Sequence, residues 1–164
     1  MIGSKKIPQI SECRLLISLY PDCSQRKDVL VYFAKFLFRE SCVKASYVRA
    51  VQKRENEYPT GLRLTGSYNV ALPHASPEFV YHNALMVGVL NHPVDFQLME
   101  DPEIGIPVKV VFMFSAVDFD SINFVVNRLT EKILLKPEVM DQIPTFTNDK
   151  KLYSFIHPII FDIN

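Results

Sequence analysis

The chain has 164 residues, of which 48% are hydrophobic, and its 18 Lys plus Arg balance 18 Asp plus Glu to a formal net charge of zero. Such a chain is long enough for one domain with a real core and too apolar to be disordered. Its basic clusters, Lys5-Lys6, Arg26-Lys27, Lys53-Arg54 and Lys150-Lys151, are scattered, so no cationic stripe points to nucleic acid. Three cysteines, Cys13, Cys23 and Cys42, form an odd set without metal-ligand spacing and suit free thiols in a reducing compartment. The apolar runs fall well short of the roughly 20 residues of a membrane helix, and residues 1–9 lack a signal core, so the expected location is cytoplasmic, without membrane insertion.

Residues 1–20, with the apolar patch Leu15-Leu16-Ile17, are expected as a strand or a packed arm. From Ser24, read as an N-cap, the run over residues 28–38 is apolar on most sides and long enough for a largely buried helix. Residues 43–54 place Tyr47, Val48 and Val51 against Lys44, Arg49 and Lys53, an amphipathic helix that ends near Arg54 and Glu55. Pro59-Thr60-Gly61 breaks it, and short strands are expected at 62–64 and 69–72. Ser76 as N-cap with Pro77 at N1 predicts a helical turn to residue 81.

Residues 84–90 are a candidate inner strand that Asn91-His92-Pro93 should end, followed by an acidic connection over 94–106. The run 108–114 is the strongest strand and the expected centre of the sheet. Residues 121–135 show helical spacing of Ile122, Val125, Val126, Leu129 and Ile133. Pro137 opens a short helix to about residue 143, and Asn148 caps a last one to residue 155, leaving 157–163 as an edge strand or a segment across the core. One domain is expected over 1–164, with its core at about 25–156, an arm at 1–24 and a tail at 157–164.

Chemistry concentrates in residues 54–75. His74 follows the short run Val70-Ala71-Leu72-Pro73 at the expected end of a strand, where Pro73 fixes the backbone and aims the next side chain off the sheet edge. A neutral imidazole has a free nitrogen able to attack phosphorus, so His74 reads as the nucleophile of a phosphoryl relay. Arg54 would add a guanidinium fork and Thr60 a hydroxyl, and a helix opening at Ser76 would add backbone N–H donors. Arg54 also fits as the cation at a helix C-terminus, and both roles are compatible. His82, eight residues after His74, is a further candidate; His92 and His157, each before a proline, read as loop residues.

The residues Arg54-Glu55, Glu57-Tyr58-Pro59-Thr60-Gly61-Leu62 and Val70-Ala71-Leu72-Pro73-His74 resemble the enzyme IIA family of the sugar phosphotransferase system, of the mannitol and fructose type, and are most similar to its galactitol-type branch. The resemblance extends over about residues 25–156 and implies a three-layer α/β/α sandwich with a mixed sheet of about five strands. It further implies a phosphocarrier without cofactor or metal, in which His74 takes phosphate from phospho-HPr and passes it to a cysteine of a IIB component of a membrane IIC complex. Arg54 and Thr60 would then flank the phosphoryl site, and Tyr58, Leu72, Ala75 and Phe79 would form the apolar ring that both partners use. Members of the mannitol and fructose type carry a second histidine where residues 115–123 have none, an absence shared with the galactitol-type branch; Asp118, Asp120 and Ser121 are the local polar groups, with Asp120 or Ser121 expected as a helix cap. Two rivals are a regulatory binding module on the same fold and a metal-dependent hydrolase built from His74, His82 and the acids of 94–106.

Overall fold

The computed structural model describes residues 12–162. A five-stranded mixed sheet runs in the order β1 (Arg14–Leu19), β4 (Ala84–Gln97), β5 (Gly105–Ser115), β3 (Asn69–Ala71) and β2 (Gly61–Leu62). β1 is parallel to β4 and β3 is parallel to β5, while β4–β5 and β2–β3 are antiparallel. Helices α1 (Arg26–Arg39) and α2 (Tyr47–Glu57) cover one face. Helices α3 (Phe119–Leu129), α4 (Pro137–Met140) and α5 (Asp149–Phe161) cover the other. This is the three-layer arrangement with about five strands that the sequence implied.

Because both faces of the sheet are covered, successive strand residues are buried on opposite sides. Ala84 and Met86 face α1 and α2, whereas Leu85, Val87 and Val89 face α3 and α5. Phe33 of α1 packs so closely onto Gly88 that an added Cβ there would lie 2.2 Å from its ring. Only a glycine lets that ring reach the sheet.

Several expectations need correction. Asn91-His92-Pro93 does not end a strand: the register shifts between Val89 and Val94, and β4 continues to Gln97. The bulge takes up the proline where the ladder is already interrupted, and Lys109 Nζ bonds the Asn91 carbonyl across it at 3.1 Å. Both ends of the supposed acidic connection, 94–97 and 105–106, are therefore ladder, with Val94, Phe96 and Ile106 buried and residues 98–104 turning between them. The N-cap of α1 is Gln25 and not Ser24, because Asp28, three residues on, accepts from the Gln25 backbone at 3.2 Å. Residues 157–161 are neither strand nor tail. α5 continues through Pro158 because Ile156, Ile160 and Phe161 bury apolar surface that outweighs the lost hydrogen bond. Residues 14–19, expected within an arm or a strand, are the edge strand β1; the readings of residues 1–11 and 163 fall outside the described residues.

Candidate functional site

The sheet's topology brings the start of β4, the end of β5 and the exit of β3 to one end. Past Ala71 the chain stays extended, and the Pro73 carbonyl accepts from Phe114 N–H at 3.3 Å. His74 is thereby carried onto the end of β5, where its ring stacks on Phe114 with centroids 4.4 Å apart and planes 18° from parallel. Its Nδ1 lies 2.9 Å from the Leu72 carbonyl oxygen. A carbonyl only accepts, so Nδ1 carries the proton and Nε2 carries the lone pair. Burial depresses the His74 pKa below the ordinary histidine value, opposed by the Leu72 hydrogen bond and reinforced by the Arg54 charge. The ring is therefore held neutral at pH 7, as a nucleophile requires.

Arg54 sits in the last turn of α2 with its guanidinium 5.5 Å from the Tyr58 ring centroid. Its Nε is buried without an acceptor among the described residues. A cleft of about 230 Å³ runs between this helix end and the chain after His74, lined by Arg54, Tyr58, Ala75, Ser76 and Phe79 among others. Buried donors are nearly always paired, so an orphaned one beside this cleft is a feature to be explained.

Thr60 has a different place from the one expected. It is 4% exposed, and its Oγ1 lies 2.9 Å and 3.1 Å from the two carboxylate oxygens of Glu55 while accepting the Leu72 N–H at 3.0 Å. Its backbone N–H also donates to Glu55 at 2.9 Å. The hydroxyl is thus spent inside the fold and is not offered to a phosphoryl group.

Glu55, 1% exposed, is the residue that sequence reading missed. Burial raises its pKa, against the Thr60 hydrogen bonds and the charges of Arg26 and Arg54. The available signal was its period, since Tyr47, Val51 and Glu55 occupy i, i+4 and i+8 of one buried stripe. Phe114, read only as part of a strand, is the other missed contributor.

The expected helix at Ser76 is a single 3₁₀ turn, Pro77–Phe79, and Ser76 makes no side-chain cap. The chain is drawn away by Val80, which bridges to Val43, and by Phe79, whose carbonyl accepts from Lys44 N–H. Leu72 at 6% and Ala75 at 3% exposure are core residues and cannot form a partner-facing ring, while Tyr58 is 64% exposed and Phe79 half-buried.

Residues 115–123 contain no histidine, and Asp118 and Ser121 are engaged within the fold. Asp118, and neither Asp120 nor Ser121, caps α3 through Ser121 N–H at 2.7 Å, and its pKa is lowered by the Ser121 hydroxyl first and by that N–H second. Ser121 receives the Asn83 amide at 3.3 Å. His82 contributes its carbonyl to Ser115 Oγ at 2.8 Å while its side chain is exposed. His157 stacks between Tyr153 and Phe161 on α5. Among the described residues no three His, Cys, Asp or Glu side chains converge as metal ligands, and no helix is long and apolar enough to cross a membrane.

Comparison with known proteins adds an independent line. Residues 14–158 match the model of the family described as "Phosphoenolpyruvate-dependent sugar phosphotransferase system, EIIA 2". The fold is similar to that of Escherichia coli enzyme IIA mannitol in its complex with phosphorylated enzyme IIB mannitol, at 20% identity and a TM-score of 0.70 over 85% of this chain and 92% of that one. It is similar to the E. coli mannitol-specific cryptic enzyme IIA CmtB, at 22% identity and 0.66 over 92% and 94%. Nitrogen regulatory protein IIA-Ntr of Neisseria meningitidis is a third such structure, at 19% identity and 0.64 over 90% and 94%. No curated protein matches the sequence. At these identities the structural likeness establishes the fold, and the family match extends N-terminally of the expected 25–156 to take in β1.

Proposed function

The chain belongs to the EIIA 2 family of the phosphoenolpyruvate-dependent sugar phosphotransferase system, and we propose that His74 is its phosphoryl-carrying residue, with Nε2 as the attacking atom. The observation that carries this is the 2.9 Å bond from Nδ1 to the Leu72 carbonyl, which leaves Nε2 as the only ring nitrogen with a lone pair. Nε2 attacks the phosphorus of phosphohistidine on HPr, the P–N bond to HPr breaks, and its electron pair returns to the HPr imidazole. The Nδ1 proton stays in place throughout. A cysteine thiolate of a IIB component then takes the phosphoryl group by the same in-line displacement, restoring neutral His74.

Arg54 stabilises the transferring phosphoryl oxygens, and its buried Nε, unpaired among the described residues, is the donor that would be satisfied there. Phe114 holds the imidazole plane. Thr60 acts on the site through Leu72 and not by contact. Partners sharing this site meet an apolar rim; we retain Tyr58 and Phe79 from the expected ring and replace Leu72 and Ala75 by Val117 and Phe119, 42% and 73% exposed after the end of β5. The galactitol-type role in a cytoplasmic relay to a membrane IIC complex rests on the motif resemblance and on the lack of a histidine in residues 115–123.

The test is intact-mass spectrometry after incubation with phosphoenolpyruvate, enzyme I and HPr. One acid-labile phosphoryl mass on the wild type, absent from His74→Ala, is expected. A second reading draws on the likeness to nitrogen regulatory protein IIA-Ntr: a regulator that accepts phosphate but serves no transporter. Acceptance from HPr without onward transfer to a galactitol-type IIB would favour it.

A further inference from the structure

The carboxylate of the buried Glu55 would be costly inside the core unless it did something for the groups around it. Its three contacts all go to Thr60, one from the backbone N–H and two from the hydroxyl. A hydroxyl has one proton. With that proton directed at the carboxylate, Oγ1 presents its lone pairs to the Leu72 N–H, 3.0 Å away. The other end of that residue, the Leu72 carbonyl, holds His74 Nδ1 at 2.9 Å. The four groups thus form one directional chain from a carboxylate at the end of α2, across β2 and β3, to the imidazole.

We propose that Glu55 is a positioning residue that, through the Thr60 hydroxyl and Leu72, fixes His74 in the Nδ1–H tautomer with Nε2 open. This rests on the reading of His74 as the nucleophile. Glu55 and Thr60 are buried at 1% and 4% exposure, and the hydrogen-bonded path from them to His74 runs through Leu72. Hydrogen bonds in series polarise one another, so a Leu72 N–H bound to a carboxylate-anchored hydroxyl keeps the residue in the register that presents its carbonyl to Nδ1. Without the anchor, the backbone between Ala71 and His74 keeps, among the described residues, the Pro73 carbonyl bond to Phe114 at this end. The imidazole would then share its proton between the two nitrogens as a free histidine does, and the fraction with an open Nε2 would fall.

The experiment is long-range ¹H–¹⁵N NMR of the His74 ring at pH 8 in the wild type, Thr60→Val, Thr60→Ser and Glu55→Gln, with near-UV circular dichroism as the check on folding. Thr60→Val keeps the shape and deletes the hydroxyl; Glu55→Gln keeps the shape and deletes the charge. The wild type and Thr60→Ser should show one ring proton on Nδ1, while the other two lose that preference by roughly two- to tenfold, the worth of one net hydrogen bond. In phosphoryl acceptance the same two variants should lose kcat with the KM for phospho-HPr unchanged. A folded Thr60→Val or Glu55→Gln with the wild-type tautomer ratio overturns the proposal; should Thr60→Val not fold, Glu55→Gln decides alone. A shifted ratio in a protein that accepts no phosphate leaves the relay standing and removes the phosphocarrier reading instead.

Discussion

Replacing Arg54 by methionine should separate chemistry from stability. The fold uses little of this guanidinium, since Nε has no acceptor among the described residues and the evident contact is the Tyr58 ring at 5.5 Å. Losing a cation–π contact at a partly exposed position costs about 0.5–1 kcal/mol. With a urea dependence of about 1–3 kcal/mol per molar for a domain of this kind, the unfolding midpoint should drop by roughly 0.2–1 M. The chemical loss is much larger, because removing one preorganised donor from a transferring group typically costs about 10²–10³ in rate, or about 2.7–4 kcal/mol. Arg54→Met also removes a cation that depresses the His74 pKa, so that pKa should rise in the variant and the neutral fraction at pH 7 should shrink. Arg54→Lys keeps the charge without the fork, so it should leave the His74 pKa in place and recover only part of the rate. The assay is the rapid-quench rate of phosphoryl acceptance from phospho-HPr beside urea unfolding of the same samples. Wild-type acceptance in Arg54→Met, or a stability loss as large as the rate loss, would refute the reasoning.

Three further outcomes follow from particular contacts. Gly88→Ala puts a Cβ 2.2 Å from the Phe33 ring and should cost about 1–3 kcal/mol; calorimetry should show Tm lower by several degrees, and an unchanged Tm would mean that α1 can slide. The His74 pKa is lowered in the fold, so the unfolded chain binds the extra proton first. Its contribution is intact above the unfolded value near 6.5 and is lost as pH falls towards the depressed folded value. Acceptance should hold its plateau below pH 6.5 and then fall with acid, and His74→Gln should flatten the stability slope in that window. A wild-type rate already half lost at pH 6.5 would contradict this. Pro158 is an exposed proline within α5, and Pro158→Ala restores an N–H towards the Ser154 carbonyl; it should stabilise by about 2 kcal/mol, less what the unfolded chain gains in freedom. A lower urea midpoint would show that the proline shapes the helix end.

What was legible in the sequence was mostly local. Tyr47, Val51 and their polar neighbours announced α2, and Pro73 before His74 announced a histidine set at a strand end. What was misread depended on partners far along the chain. Asn91-His92-Pro93 looks like a turn, yet β5 supplies a ladder that absorbs it as a bulge. His157-Pro158 looks like a helix stop, yet the core beneath Ile156 and Ile160 carries α5 past it. Leu72 and Ala75 seemed free to face a partner because adjacency to His74 does not reveal that helices cover both faces of the sheet. Glu55 was placed only at the end of an amphipathic helix, since its partner Thr60 becomes its neighbour only when Pro59 folds the chain back. The same fold-back explains why Thr60 was given to the phosphoryl group while its hydroxyl is spent on Glu55 and Leu72.

The most direct test of the account is ³¹P and long-range ¹H–¹⁵N NMR on the uniformly ¹⁵N-labelled chain after phosphorylation by enzyme I and HPr. The account predicts a single phosphorus coupled to Nε2 of His74, with the proton retained on Nδ1 and its Leu72 hydrogen bond intact. Phosphorus on Nδ1, on another residue, or nowhere while HPr itself is phosphorylated would contradict it.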